Sequence, residues 1–170
     1  MRRYFYSSLL AILLAGAAVR TRAAESPNDG GITSIVIRFL DTFKPEDRKK
    51  IMFDFDDAER KDWSNLPTNF YPRKGVTLAE MTNPCRLLAH ELMRASLSSQ
   101  GYLKAAAVVH RDEVLLRTGG SSANFGAGKY YFGIFGNPAA DKRWGWQFDG
   151  HHIALNFTVV DGVLTGAPAL

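Results

Sequence analysis

Two histidines stand side by side at positions 151 and 152, inside the run WGWQFDGHHIALNF that spans residues 144–157. A neutral imidazole is the commonest side-chain ligand for metal ions, and near neutral pH it serves equally as a general base. Period-two alternation decides how the pair can be used. If the run from His151 is a strand, His151, Ile153, Leu155, Phe157 and Val159 share one face, and His152, Ala154, Asn156 and Thr158 share the other. The two rings then cannot enter one pocket unless a bulge intervenes. His151 falls among core residues, where a hydrogen-bonded imidazole is the ordinary outcome. His152 stands in a polar row with Asn156, and Asp149 lies near the turn before it. That row is the better place for chemistry, with His152 as metal ligand or general base, Asn156 orienting it and Asp149 as a carboxylate.

A metal site needs three or four converging ligands. A divalent metal ion held by His152 and His151 would therefore need a further group, and Glu113 is the candidate. Glu113 follows His110 by three residues, so the two share a helical face, although a solvated surface pair is the plainer account of them. His90 and Glu91 are chain neighbours and point apart. No HExxH zinc motif is present. Completed, such a site would support metal-assisted hydrolysis of a small-molecule or polymer substrate that the sequence does not identify.

A rival from another class is a non-catalytic binding module. Trp144, Trp146 and Phe148 share one strand face and could stack on a sugar or an aromatic solute. The plainer reading is that this face is the inner surface of the sheet, packed on helices. Other motifs reduce to structure. Asp54, Asp56, Asp57 and Glu59 lack the order of a calcium-binding loop and suit capping. The segment GGSSANFGAGK lacks the GK[ST] of a phosphate loop, and no nucleophile elbow surrounds a serine. The single cysteine, Cys85, excludes an intramolecular disulfide and reads as a structural thiol.

Periodicity supplies the elements that would hold these residues. GGITSIVIRFLDTF carries apolar residues at Ile32, Ile35, Val36, Phe39 and Leu40, one stripe of a helix. Pro45 opens a second helix, PEDRKKIMF, and the chain from Phe53 to Gly75 has no sustained period. Thr77 and Glu80 form a capping box. Asn83 and Pro84 read as cap and first residue of a helix that Gln100-Gly101 ends, after which YLKAAAVVHRDEVLLR forms another. Beyond Lys129 the period becomes two. KYYFGIFG, RWGWQFD and HHIALNFTVV are three β-like runs, with turn chemistry at Asn137-Pro138 and Asp149-Gly150. Helices first and strands afterwards predict an α+β domain, N-terminal helices packed on a C-terminal antiparallel β-meander. A further hairpin turn, Asp161-Gly162, precedes a run that stops soon after it. The expectation is an incomplete sheet whose exposed edge drives self-association.

The N-terminus reads as a signal peptide over residues 1–24, followed by one domain over 25–170. MRRYFY is a basic head, Ser7 to Val19 an apolar stretch too short to span a bilayer, and RTRAAE supplies small residues for cleavage. Arg2-Arg3 admits twin-arginine export as well as the general secretory route. The protein is therefore expected to be secreted or periplasmic, with no membrane association after cleavage. Without Arg2, Arg3, Arg20, Arg22 and Glu25, the count falls from 21 basic and 17 acidic residues to 17 and 16. A near-neutral domain has no electrostatic case for binding nucleic acid.

Five segments in combination resemble the domain-of-unknown-function 3500 family: FDDAERKDWSNLP, RKGVTLAEMT, LMRASLSSQGY, YYFGIFGNP and WGWQFDGHHIALNFT. The resemblance covers Pro45 to Gly162 and implies an exported protein, usually longer than this chain; it supplies no activity. The signal reading predicts cleavage between Ala17 and Glu25. Intact-mass measurement of the exported protein should give a chain starting in that interval, and recovery of full-length chain from the cytosol would refute the prediction.

Overall fold

The computed structural model describes residues 31–165 of the 170. The chain forms α1 (Ile32–Asp41), α2 (Pro45–Ile51), β1 (Met52–Phe53), a 3-10 turn (Ala58–Lys61), β2 (Val76–Thr77), α3 (Asn83–Ser96) and α4 (Ser99–Arg117). The remaining strands follow: β3 (Tyr131–Phe135), β4 (Arg143–Gly150), β5 (Ile153–Val160) and β6 (Val163–Thr165). The strand order is β1-β3-β4-β5-β6, with β2 also paired to β3. This is the expected α+β arrangement, helices early and strands late, and the sheet is open. It is mixed, however, because β1 runs parallel to β3 while the other pairs are antiparallel. Two residues are too few to show a period, so β1 was hidden in the tail of α2.

One face of the sheet is the core. Phe132 and Ile134 of β3, Trp144, Trp146 and Phe148 of β4, and Leu155, Phe157 and Val159 of β5 lie opposite one another in register and are all buried. Trp146 is sandwiched, its ring 4.4 Å from Phe157 and 5.8 Å from Phe132 and nearly parallel to both. The helices close over this face. All five stripe residues of α1 are buried, with Phe39 against Phe132, and α3 adds Cys85, Ala89, Leu92 and Met93. The aromatic platform is corrected here, since Trp144, Trp146 and Phe148 are each 1 % exposed and no solute can stack on them.

The opposite face carries Gly145, Gln147 and Asp149 from β4, with Asn156 and Thr158 beside them on β5. It too is covered, by the irregular segment 54–75, which crosses it as a strap. Gln147 donates to the Asp62 carbonyl at 3.3 Å, and Arg60 donates to the Thr158 hydroxyl. Coverage on both sides explains why β4 is buried from Trp144 to Gly150.

Local signals mostly fall where the sequence places them. Asp161 and Gly162 both take positive φ, at 48° and 79°, as a two-residue hairpin of type I′ requires. The Thr77–Glu80 box forms, Glu80 accepting from the Thr77 amide at 2.8 Å, although only a turn follows it. Three boundaries move. Thr82, not Asn83, caps α3 by accepting from the Cys85 amide. Leu97 and Ser98 separate α3 from α4, and Ser98 caps the Gly101 amide at 3.1 Å, so Gln100-Gly101 begins a helix instead of ending one. Asp149-Gly150 is the end of β4, and the turn to β5 is His151-His152. Gly150 serves packing: a Cβ there would fall inside the Tyr130 ring. Among the described residues β6 pairs only with β5 and forms one end of the sheet. The signal segment and twin arginines lie outside the described residues.

Gly150→Ala should therefore cost about 1–3 kcal/mol by forcing Tyr130 out of place. The shift of the denaturant midpoint measures it, and an unchanged midpoint would show that the ring yields freely.

Candidate functional site

Helix α4 has few buried residues, and one of them is charged. Asp112 is 2 % exposed. Its Oδ2 accepts from the Gly126 amide at 3.1 Å, and its Oδ1 lies 2.7 Å from Nδ1 of His151. The next residue, Glu113, accepts from the Ala127 amide at 3.1 Å. The glycine-rich loop after α4 is thus clamped by two successive carboxylates, and the clamp sets Phe125 against the His151 ring at 5.4 Å. Gly126 has φ +129, a conformation that suits glycine and lets the loop bend its amide toward Asp112. Tyr130 completes the enclosure by donating to the His151 carbonyl at 3.1 Å. Burial first, and then the neighbouring Asp112, push the Tyr130 phenol far up, so it remains a donor.

A carboxylate at Nδ1 favours the tautomer in which that nitrogen carries the proton. The His151 side chain is 11 % exposed. The arrangement is a mostly buried imidazole oriented by a buried carboxylate. It can accept a proton from water or a substrate hydroxyl, or hold a metal ion through Nε2.

His152 is placed differently from expectation. It lies in the turn and not in the strand, with φ 61°, and its amide donates to the Asn65 carbonyl at 3.1 Å. Its ring is exposed and sits 3.9 Å from that of His151. The turn removes the alternation that would have put His152 in a row with Asn156. Asn156 instead stands under the strap opposite Gln147, where its Oδ1 is buried without a partner. The proposed row of His152, Asn156 and Asp149 is therefore not assembled.

Nor is the metal shell. Glu113 is taken by Arg117 at 2.9 Å and by the Ala127 amide, which together hold its carboxyl below the usual range. His110 is exposed, and His90 pairs with the Tyr102 hydroxyl at 3.1 Å. Among the described residues no three His, Cys, Asp or Glu side chains converge as metal ligands. Asp57 caps the Glu59 amide at 2.8 Å, the capping role expected of the acidic string. The Cys85 thiol is buried, and burial raises its pKa.

Asp149 faces the strap, where Arg73 meets it. Nε of Arg73 is 3.1 Å from Oδ1 of Asp149, with side chains only 2 % and 5 % exposed. Arg73 also reaches the carbonyls of Ser64, Leu66, Tyr71 and Gly150. Neither Asp112 nor Arg73 carries a mark in the sequence. Asp112 sits inside the helical run HRDE and Arg73 in the loop YPRKG, and each is defined by partners distant in the chain.

Burial raises the Asp149 carboxyl to about 6 against the opposing pull of Arg73. A carboxyl raised above its ordinary value of about 3.9 stabilises the fold while protonated. That contribution is complete below the ordinary value and disappears as pH rises through about 6. Asp149→Asn abolishes the titration. Relative to wild type, the variant should gain up to about 3 kcal/mol of stability between roughly pH 4 and pH 7. Paired unfolding curves across that range check the sign, and a constant difference would refute it.

A family model described as a protein of unknown function (DUF3500) matches residues 26–170. No curated protein and no solved structure matches the chain.

Proposed function

Because the chain belongs to the DUF3500 family of proteins of unknown function, its activity must be argued from the site, and we propose that it is a hydrolase in which His151 moves the proton and Asp112 positions it. The observation that carries this reading is the 2.7 Å contact between a buried carboxylate and Nδ1 of a partly exposed imidazole. Holding the ring from Nδ1 by a buried carboxylate is the arrangement that general-base catalysis through Nε2 uses. The exposed His152 ring lies against that of His151 at 3.9 Å, where it can meet a substrate.

Metal assistance would use the same Nε2, in the carboxylate–histidine–metal arrangement. The proton-transfer version is favoured because Glu113 is engaged elsewhere and no set of three ligands gathers among the described residues. Export to the periplasm or medium, with cleavage of the first residues, belongs to the same proposal, as does self-association through the β6 edge. A binding module built on Trp144 and Trp146 has no support, since both are core residues.

Nitrogen-15 NMR should find His151 in the Nδ1–H tautomer with Nε2 unprotonated. Against a panel of ester, amide, glycoside and phosphodiester probes, Asp112→Asn and His151→Gln should each lower kcat by about 10²-fold or more, with little change in KM. An Nε2–H tautomer would defeat the reading outright. Elemental analysis of protein purified without chelator reverses the order of the two versions if about one metal per chain is found and His151→Ala loses it.

A further inference from the structure

The link between α3 and α4 is Leu97 and Ser98, both extended, with ψ 152° and 161°. So short a link turns the chain sharply and leaves an open corner between the helices. In that corner lies a cavity of about 380 Å³, lined by Arg94, Leu97, Ser99, Tyr102 and Leu103. Leu97 and Tyr102 join it to the hydrophobic core, against which both pack. The Tyr102 ring is fixed there by its hydroxyl, 3.1 Å from Nδ1 of the half-buried His90. Leu103 is 57 % exposed, a large apolar side chain left in water at the same cavity.

The charge in this wall is positive. The Arg94 guanidinium lies over the Tyr102 ring, 4.6 Å from its centroid. Stacking of this kind uses the flat face of the group and leaves the N–H donors at its edge available. The carboxylate best placed on the same helix to take them is Glu91, three residues back, but Glu91 is paired with Arg38 of α1. Among the described residues Arg94 has no carboxylate partner. We infer that the corner between α3 and α4 is a binding site for a small monocarboxylate with an apolar body. Leu97, Tyr102 and Leu103 offer carbon surface that a bare inorganic anion would not cover. Arg94 opposes cations, and no acidic side chain lines the cavity. Its planar fork matches a carboxylate through two parallel N–H···O bonds. One guanidinium balances one negative charge, which suits a monocarboxylate better than a phosphate monoester. The volume stands at the small end of ligand pockets, which begin at about 300 Å³, so the body is compact.

The cavity shares no residue with the His151 site, and the inference does not rest on the hydrolase reading. Octanoate is the probe, with octanol as the same chain without the charge and acetate as the charge without the chain. Titrated into the nitrogen-15-labelled intact chain, octanoate should shift the amide resonances of Leu97, Ser99, Tyr102 and Leu103 and the Nε–H of Arg94. Octanol and acetate should each bind at least about tenfold more weakly, one lacking the charge-assisted pair and the other the apolar body. Arg94→Gln should bring octanoate down to the affinity of octanol, and Leu103→Asn should weaken both. No saturable shift at these residues, shifts scattered over the surface, octanol bound as well as octanoate, or unchanged octanoate affinity in Arg94→Gln overturns the inference. Both substituted side chains are exposed; should either variant not fold, the three probes against wild type decide it alone.

Discussion

Removing a guanidinium from water costs several kcal/mol unless its donors find acceptors inside the protein. Arg73 has been removed almost entirely, and the strap is built around that demand. Its nitrogens reach three carbonyls of the strap itself, at Ser64, Leu66 and Tyr71, and one of the sheet, at Gly150. The strap has almost no regular structure and, in Trp63, Leu66 and Phe70, keeps its large apolar residues outside. It cannot be held by burial of those side chains. It is held by polar contacts to the sheet, from Arg73 to Gly150 and Asp149, from Arg60 to Thr158 and from Gln147 to Asp62. Asp149 supplies the counter-charge from a strand that would otherwise present a polar face to nothing.

The same economy sets the histidine turn. Gly150 lets the Tyr130 ring lie against the end of β4, and Tyr130 then reaches the His151 carbonyl. On the other side the strap accepts the His152 amide through Asn65. Arg73 holds the Gly150 carbonyl between them. Three consecutive residues at the hairpin tip are therefore gripped by Tyr130 just before β3, by the strap and by Asp112 of α4. That grip makes a turn rigid enough to carry an oriented imidazole, and it lets His152 sit in the left-handed region without glycine.

What was legible in the sequence followed from repetition. The α1 stripe and the β-like runs announce themselves because several residues obey one period, and burial enforces it. The Asp161-Gly162 hairpin was legible because two positive φ values demand that chemistry. Asp149-Gly150 has the same letters and was misread. There the glycine answers a ring packed across the sheet and the aspartate answers an arginine in the strap. A one-dipeptide shift of the turn then moved both histidines off the strand, and the row with Asn156 disappeared with it. The fold survives such a slip, because its core residues still alternate. The site does not, because each of its members is set by a single partner.

Asp112 shows the limit most plainly. Its partner His151 is 39 residues away, beyond a whole glycine-rich loop. On the helix it is flanked by Arg111, His110 and Glu113, so the local pattern is that of a solvated face. Nothing local distinguishes it from Glu113, which does face outward to Arg117. What separates them is the loop. Two amides, from Gly126 and Ala127, dock on two adjacent carboxylates, and the one that also meets His151 is the one buried. The buried carboxylate is thus defined by contacts from a distant hairpin and a following loop, neither of which the helix's own pattern announces.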